Sequence, residues 1–177
     1  MANRTEFISF YGLDYPPEYG RGYGEFKLID YVMQHSKIIQ ELSVDENIWK
    51  VTGRYIIRNL QDILKTCPSD ADIYCHCRNI PLRWTDLYIL LWNKNGYETL
   101  LKNIPPLLRQ DAINESAEQA FRNKIDERNL NCKIVKRFRK IPELEGVRGL
   151  DNKNYTDMKL KIFLRKLANT LAPWLWI

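Results

Sequence analysis

Trp49-Lys50-Val51-Thr52-Gly53-Arg54-Tyr55 sets a lysine, a glycine and an arginine at the end of an apolar run. Strand ends of this kind are where open α/β sheets meet their ligands. Lys50 and Arg54 would neutralise the charge that gathers on a departing diphosphate, with Thr52 and Gly53 between them. Gly20-Arg21-Gly22-Tyr23-Gly24-Glu25 comes earlier in the chain. Three glycines in five residues allow positive φ and a close backbone approach. A helix starting from that turn would aim the amides of Gly22 and Gly24 at a phosphate. The spacing is not the dinucleotide fingerprint G-x-G-x-x-G. The alternative for both stretches is a surface loop and surface cations flanking a helix start.

Carboxylates supply the other half of such chemistry. Asp70-Ala71-Asp72 has the D-x-D form, in which two carboxylates share a hard cation, Mg²⁺ or Mn²⁺, with a diphosphate. Pro68-Ser69-Asp70 is equally a turn before a strand. Glu115 and Glu118 stand three apart on one helical face. Glu118 could deprotonate a hydroxyl, or the pair is a first turn that suits the helix dipole. Glu25 and Asp72 are the other candidates for a general base. In Cys75-His76-Cys77, neighbours on a strand point to opposite faces, so the three do not converge on one ion. Buried thiols beside a partly exposed histidine are expected instead.

These residues need elements to carry them. Glu6 to Tyr11 reads as a short strand, and Gly12 to Gly24 as a loop. Helical spacing of Leu28, Tyr31, Val32, His35, Ile39 and Leu42 predicts a helix from Gly24 to Leu42. Ile48 to Thr52 reads as a buried strand, Tyr55 to Thr66 as a helix, and Ala71 to Cys77 and Leu87 to Trp92 as strands. Asn95-Gly96 is a turn signal. Tyr97 to Arg128 is expected to be mostly helical, broken at Pro105-Pro106, and Lys133 to Ile141 to be a strand. Pro142 to Asn154 reads as a loop, and Thr156 as the N-cap of a last helix. Strands alternating with helices predict an α/β layered fold.

The chain has 177 residues, 45% of them hydrophobic and 28% charged, which predicts one globular domain with a real core. The net charge is +5, and basic residues outnumber acidic ones from Lys133 onward, so an anionic partner fits. No signal peptide opens the sequence, so the four cysteines are expected to be free thiols in a reducing compartment. No apolar run is long enough to span a membrane. The final helix carries Leu160, Phe163, Leu164, Leu167 and Leu171 on one side and Lys159, Lys161, Arg165 and Lys166 on the other, with Trp174 and Trp176 after it. Such a helix either lies on an anionic membrane or packs onto its own domain. Its charge could also meet nucleic acid, but no recognised nucleic-acid motif is present.

The order of three stretches resembles that in bacterial glycosyltransferases that build surface polysaccharides such as lipopolysaccharide O-antigen and capsule. They are Gly22-Tyr23-Gly24-Glu25, Trp49 to Tyr55, and Pro142-Glu143-Leu144-Glu145-Gly146-Val147-Arg148-Gly149 followed by Tyr155. The resemblance implies a GT-A-like, Rossmann-related domain over residues 1–155, with residues 156–177 as a basic amphipathic helix. It implies a nucleotide-sugar donor, a lipid-linked saccharide acceptor, and a cytoplasmic protein peripheral to the inner face of the membrane. Lys50–Arg54 would stand where relatives carry their metal-binding D-x-D, making the transfer metal-independent. Against that stands the reading of Asp70 and Asp72 as Mg²⁺ or Mn²⁺ ligands. Few residues precede Gly22, so the nucleotide-gripping unit is expected to be shortened. The rival expectations are a small basic nucleic-acid-binding protein, and a truncated transferase that serves as a non-catalytic interaction protein.

Overall fold

A computed structural model describes residues 4–12, 14–53, 56–127, 129–146, 159–172 and 175–176. After a 3₁₀ turn at Pro17–Tyr19, the chain forms α1 (Gly20–His35), α2 (Lys37–Glu41), β1 (Ile48–Val51), β2 (Ile56–Ile57), α3 (Leu60–Lys65), β3 (Ile73–Arg78) and β4 (Trp84–Trp92). It continues with α4 (Lys94–Thr99), two 3₁₀ turns, α5 (Gln110–Ile113), α6 (Ala117–Ile125), β5 (Ile134–Val135), β6 (Leu144–Glu145) and α7 (Lys159–Leu171).

The main sheet runs β1-β4-β3-β5, and β2 pairs with β6 in a second, two-stranded sheet. β4 lies antiparallel to both β1 and β3, and β3 runs parallel to β5. The fold is therefore mixed α/β, with a mixed sheet and flanking helices. β3 is covered on both faces, which is why it reads as a continuous buried run. Ile73, Cys75 and Cys77 face α1 and α6, where Phe26, Phe121 and Ile125 fill the layer. Tyr74 faces the other way, onto Ile63 of α3 and Phe138. Each such large apolar side chain contributes about 1.5–3 kcal/mol on burial. β4 steps from Leu91 to Asp86 while β3 steps from Tyr74 to His76, so β4 bulges beside β3.

Several expected elements take another form. Residues 6–11 form no strand. The carboxylate of Glu6 instead accepts hydrogen bonds from the Ser36 hydroxyl, at 2.6 Å, and from the backbone N–H groups of Lys37 and Ile38. The expected helix over 24–42 starts earlier, at Gly20, and breaks at Ser36, whose ψ of 119° is extended and whose hydroxyl caps α2. The expected helix over 55–66 begins as β2, because its Ile56-Ile57 pairs with Leu144-Glu145. Asn95 and Gly96 lie inside α4, capped by Asn93, rather than in a turn. In the stretch after Tyr97 the expected interruption at Pro105-Pro106 is present as a 3₁₀ turn, and a further break at Asn114, which is left-handed at φ 51°, leaves only short helices. The strand expected over 133–141 pairs only at Ile134 and Val135. The proposed N-cap Thr156 lies outside the described residues.

All four cysteines are free thiols. Among the described residues, no helix is long and apolar enough to cross a membrane.

Candidate functional site

The glycine turn is where sequence and structure part most clearly. Gly22 and Gly24 are buried residues of α1, not a loop. A Cβ added at Gly22 would stand 2.1 Å from the Ala117 Cβ, and one at Gly24 would stand 2.1 Å from the Tyr15 hydroxyl. These glycines therefore let α6 and the preceding loop approach α1 closely. Gly22 and Gly24 lie within α1 and pack on Ala117 and Tyr15, which corrects the expected loop over 12–24.

Lys50 does meet that segment. Its Nζ lies 2.8 Å from Oε2 of Glu25 and also donates to the Leu87 carbonyl, which the bulge in β4 leaves free of its ladder. Lys50 is the centre of a contact joining α1, β1 and β4. The Thr52 N–H donates to the Tyr88 carbonyl at 2.9 Å, extending the β1 ladder by one bond. Gly53 faces open space, with nothing near a built Cβ. Arg54, with Tyr55, lies outside the described residues.

The carboxylates go elsewhere. Asp72 accepts from the Asn93 amide at 2.9 Å and from the Lys133 N–H at 2.7 Å. Burial opposes its charge, and these donors outweigh burial to hold its pKa below the usual value. Asp70 pairs with the Lys133 ammonium, which lowers its pKa too. Both aspartates fasten the segment before β5 to the start of β3. Both carboxylates therefore meet Lys133, and Asp72 also meets Asn93. Among the described residues, no group of three or more His, Cys, Asp or Glu is placed to hold an ion. Glu118 lies in the first turn of α6, behind the capping box of Ser116 and Gln119. Glu115 accepts from Asn123 at 3.1 Å. Both positions suit the helix dipole.

Cys75 and Cys77 point the same way, with their sulfurs 3.8 Å apart. His76 points to the opposite face, as alternation requires. The expected partial exposure of His76 is corrected: it is 1% exposed.

A denser polar group surrounds His76, and the sequence reading did not assemble it. His76 stands opposite Asp86, and Arg78 opposite Trp84, on one face of the β3–β4 pair. Arg78 grips Asp86, with its Nε at 2.9 Å, and the Tyr88 hydroxyl donates to the same carboxylate at 3.1 Å. The Arg78 guanidinium also lies over the Trp84 ring, 5.2 Å from its centre. His76 Nδ1 accepts the Phe138 N–H at 3.4 Å, which assigns the ring proton to Nε2. Burial pushes the imidazole pKa down to about 4, so it is a neutral donor at neutral pH. The Nε2 atom is buried and finds no acceptor among the described residues, and the same holds for Nε1 of Trp84. The signal in the sequence was polar residues at every second position of two apolar strands: His76 and Arg78, then Asp86 and Tyr88. Only pairing in register brings them together.

No protein-family model, curated protein or solved structure matches this chain.

At the C-terminus, Phe163, Leu164, Leu167 and Leu171 of α7 are exposed, Phe163 at 60% and Leu171 at 67%. Lys166 pairs with Glu143, while the side chains of Lys159, Leu160 and Lys161, and the whole of Trp174, lie outside the described residues. Trp176 turns back to the domain. It packs against the core beside α6, under the Arg122 guanidinium at 5.2 Å, and its carbonyl accepts the Asn79 N–H at 2.7 Å.

Proposed function

We propose that this protein works at an anionic membrane surface and docks there through α7. One observation carries the reading: the apolar side of a basic amphipathic helix, at Phe163, Leu164, Leu167 and Leu171, faces solvent instead of its own domain. Moving such side chains out of water yields about 1.5–3 kcal/mol each when complete. Each nearby Lys or Arg adds about 1 kcal/mol on an anionic leaflet. The same helix carries Lys159, Lys161, Arg165 and Lys166. The test is co-sedimentation with phosphatidylcholine vesicles, with and without phosphatidylserine. The protein is expected in the pellet only with the anionic lipid, and the Phe163→Glu, Leu167→Glu double variant in the supernatant. Equal pelleting of both proteins would remove α7 as the docking element.

A second reading, sugar transfer from a nucleotide-sugar donor to a lipid-linked saccharide by a GT-A-like domain, draws on the contact of Glu25 with Lys50. In it, Lys50 and Arg54 bind the donor diphosphate, and Glu25, freed from its pair, accepts the proton of the attacking hydroxyl. No metal-dependent step is assigned, since Asp70 and Asp72 are held by Lys133 and Asn93. Calorimetry with uridine diphosphate tests this reading. Binding that Arg54→Ala weakens supports it, and absence of binding ends it.

A further inference from the structure

Cys75 and Cys77 share one face of β3, and their sulfurs stand 3.8 Å apart. Both are buried, at 0% and 1% exposure, in the layer that α6 covers. Their mutual hydrogen bond raises the pKa of Cys75 and lowers that of Cys77. Among the described residues, the pair also meets the buried Thr85 hydroxyl, 3.3 Å from Cys77 Sγ, and the Val135 carbonyl, 3.9 Å from Cys75 Sγ. A metal ion bonded to two sulfurs at ~2.3 Å each holds them ~3.8 Å apart at a tetrahedral angle and ~4.6 Å apart in line. The observed separation is the near end of that range. Charge beside the pair has the sign such a site needs. Arg83, Arg122 and Lys136 share the carboxylate of Asp126, three cations against one anion. The Cys77 N–H donates to the Lys136 carbonyl at 2.9 Å. Arg122, only 4% exposed, donates to the carbonyl of the next residue, Arg78, at 3.0 Å.

We propose that Cys75 and Cys77 form a two-sulfur binding site for a soft monovalent metal ion of the Cu(I) class. Thiolate sulfur selects soft cations. Zinc in protein sites takes four ligands, and among the described residues no third His, Cys, Asp or Glu completes a group with these two. A soft monovalent ion is satisfied by two sulfurs. It lies between them in place of the two S–H protons, so it needs no separate cavity. Both thiols release their protons to solvent on binding. One ion and two thiolates then carry a net charge of −1, and the cations around Asp126 offset the cost of burying it. Burial among Phe121, Ile125 and Leu87 keeps water and competing ligands from the bound ion. His76 points to the opposite face and takes no part.

The test uses the Cys67→Ser, Cys132→Ser protein, which keeps Cys75 and Cys77 as its thiols. Without oxygen, and against the chelator bicinchoninate, it is expected to take up one equivalent of Cu(I). The measurement is made on the native protein and on protein refolded from urea with the ion present, so that slow entry into the core does not hide the site. X-ray absorption should show two sulfur neighbours per ion. Cu(I) should raise the thermal unfolding midpoint, because an ion that prefers the folded chain stabilises it. Cys75→Ala and Cys77→Ala, each added to this background, should abolish the uptake. The neighbour count and the midpoint are read on the parent protein, so they decide the matter even where an alanine variant does not fold. No uptake in either preparation, three or more protein ligands per ion, uptake that survives both alanine variants, or a midpoint that Cu(I) leaves unchanged or lowers overturns the proposal.

Discussion

Burial governs the most perturbed side chains. His76 titrates near 6.5 in an open chain and at about 4 in the fold. The stability this represents is fully present above pH ~6.5 and is lost as pH falls toward 4. Asp30 behaves in the opposite way. Its carboxylate is partly buried beside the Tyr97 hydroxyl, and burial outweighs the hydrogen bond from that hydroxyl, raising the pKa from 3.8 to about 6. Burial, and then the charge of Asp30, push Tyr97 up to about 12. A raised carboxylate favours the fold below pH ~4 and loses that contribution as pH climbs through 6. Asp30→Asn is therefore expected to stabilise the protein at about pH 7.5, by ~1 kcal/mol after allowing for solvent screening, and by less at about pH 4.5. Urea unfolding at the two pH values checks this. An equal gain at both would show that ionisation of Asp30 is not the cause.

Among elements, the decisive contact is between α1 and α6. Gly22 lets the helices meet over Ala117, and Phe26 then reaches Phe121, with ring centres 5.3 Å apart. Gly22→Ala should cost about 1–3 kcal/mol by overpacking, even though alanine is the better helix former. Adding Ala117→Gly should restore most of it, because the next atom beyond the lost methyl is 3.6 Å from the new one. Denaturant midpoints of the two variants measure both effects. A Gly22→Ala variant of full stability that fails to bind uridine diphosphate would reverse the assignment and return this glycine to ligand contact. Lys50 works at the same scale: by taking the Leu87 carbonyl it completes the bulge that sets β4 against both neighbours.

At the scale of the whole molecule, Trp176 lies against the turn between β3 and β4. The hairpin between β3 and β4 exposes Ile80 and Leu82 at its tip, and Asn79 beside them holds the Trp176 carbonyl. Arg122 of α6 sits against the Trp176 ring and also bonds the Arg78 carbonyl at 3.0 Å. α6, the hairpin and the C-terminal segment therefore share one junction. Trp176→Ala should lower stability by ~1–3 kcal/mol, below the range for a fully buried tryptophan because the ring is only half-buried. Thermal unfolding measures it, and an unchanged midpoint would mean the junction adds nothing to stability.

Periodicity alone located β1, β3 and β4 to within a few residues and gave the mixed α/β class, because buried strands and amphipathic helices write their burial into residue order. It also marked the amphipathic side of α7. Pairing decided the rest. Ile56-Ile57 became a strand because Leu144-Glu145 reached it, and Glu6 became a helix cap because Ser36 did. Gly22 looks the same in sequence whether it faces a phosphate or a neighbouring methyl, and what stands opposite it is fixed by a residue 95 positions away. The group around His76 is hidden for the same reason: Asp86 and Arg78 are ordinary charges until an antiparallel register sets them side by side. Local order fixes how a segment coils or extends, but which atoms finally touch depends on distant parts of the chain.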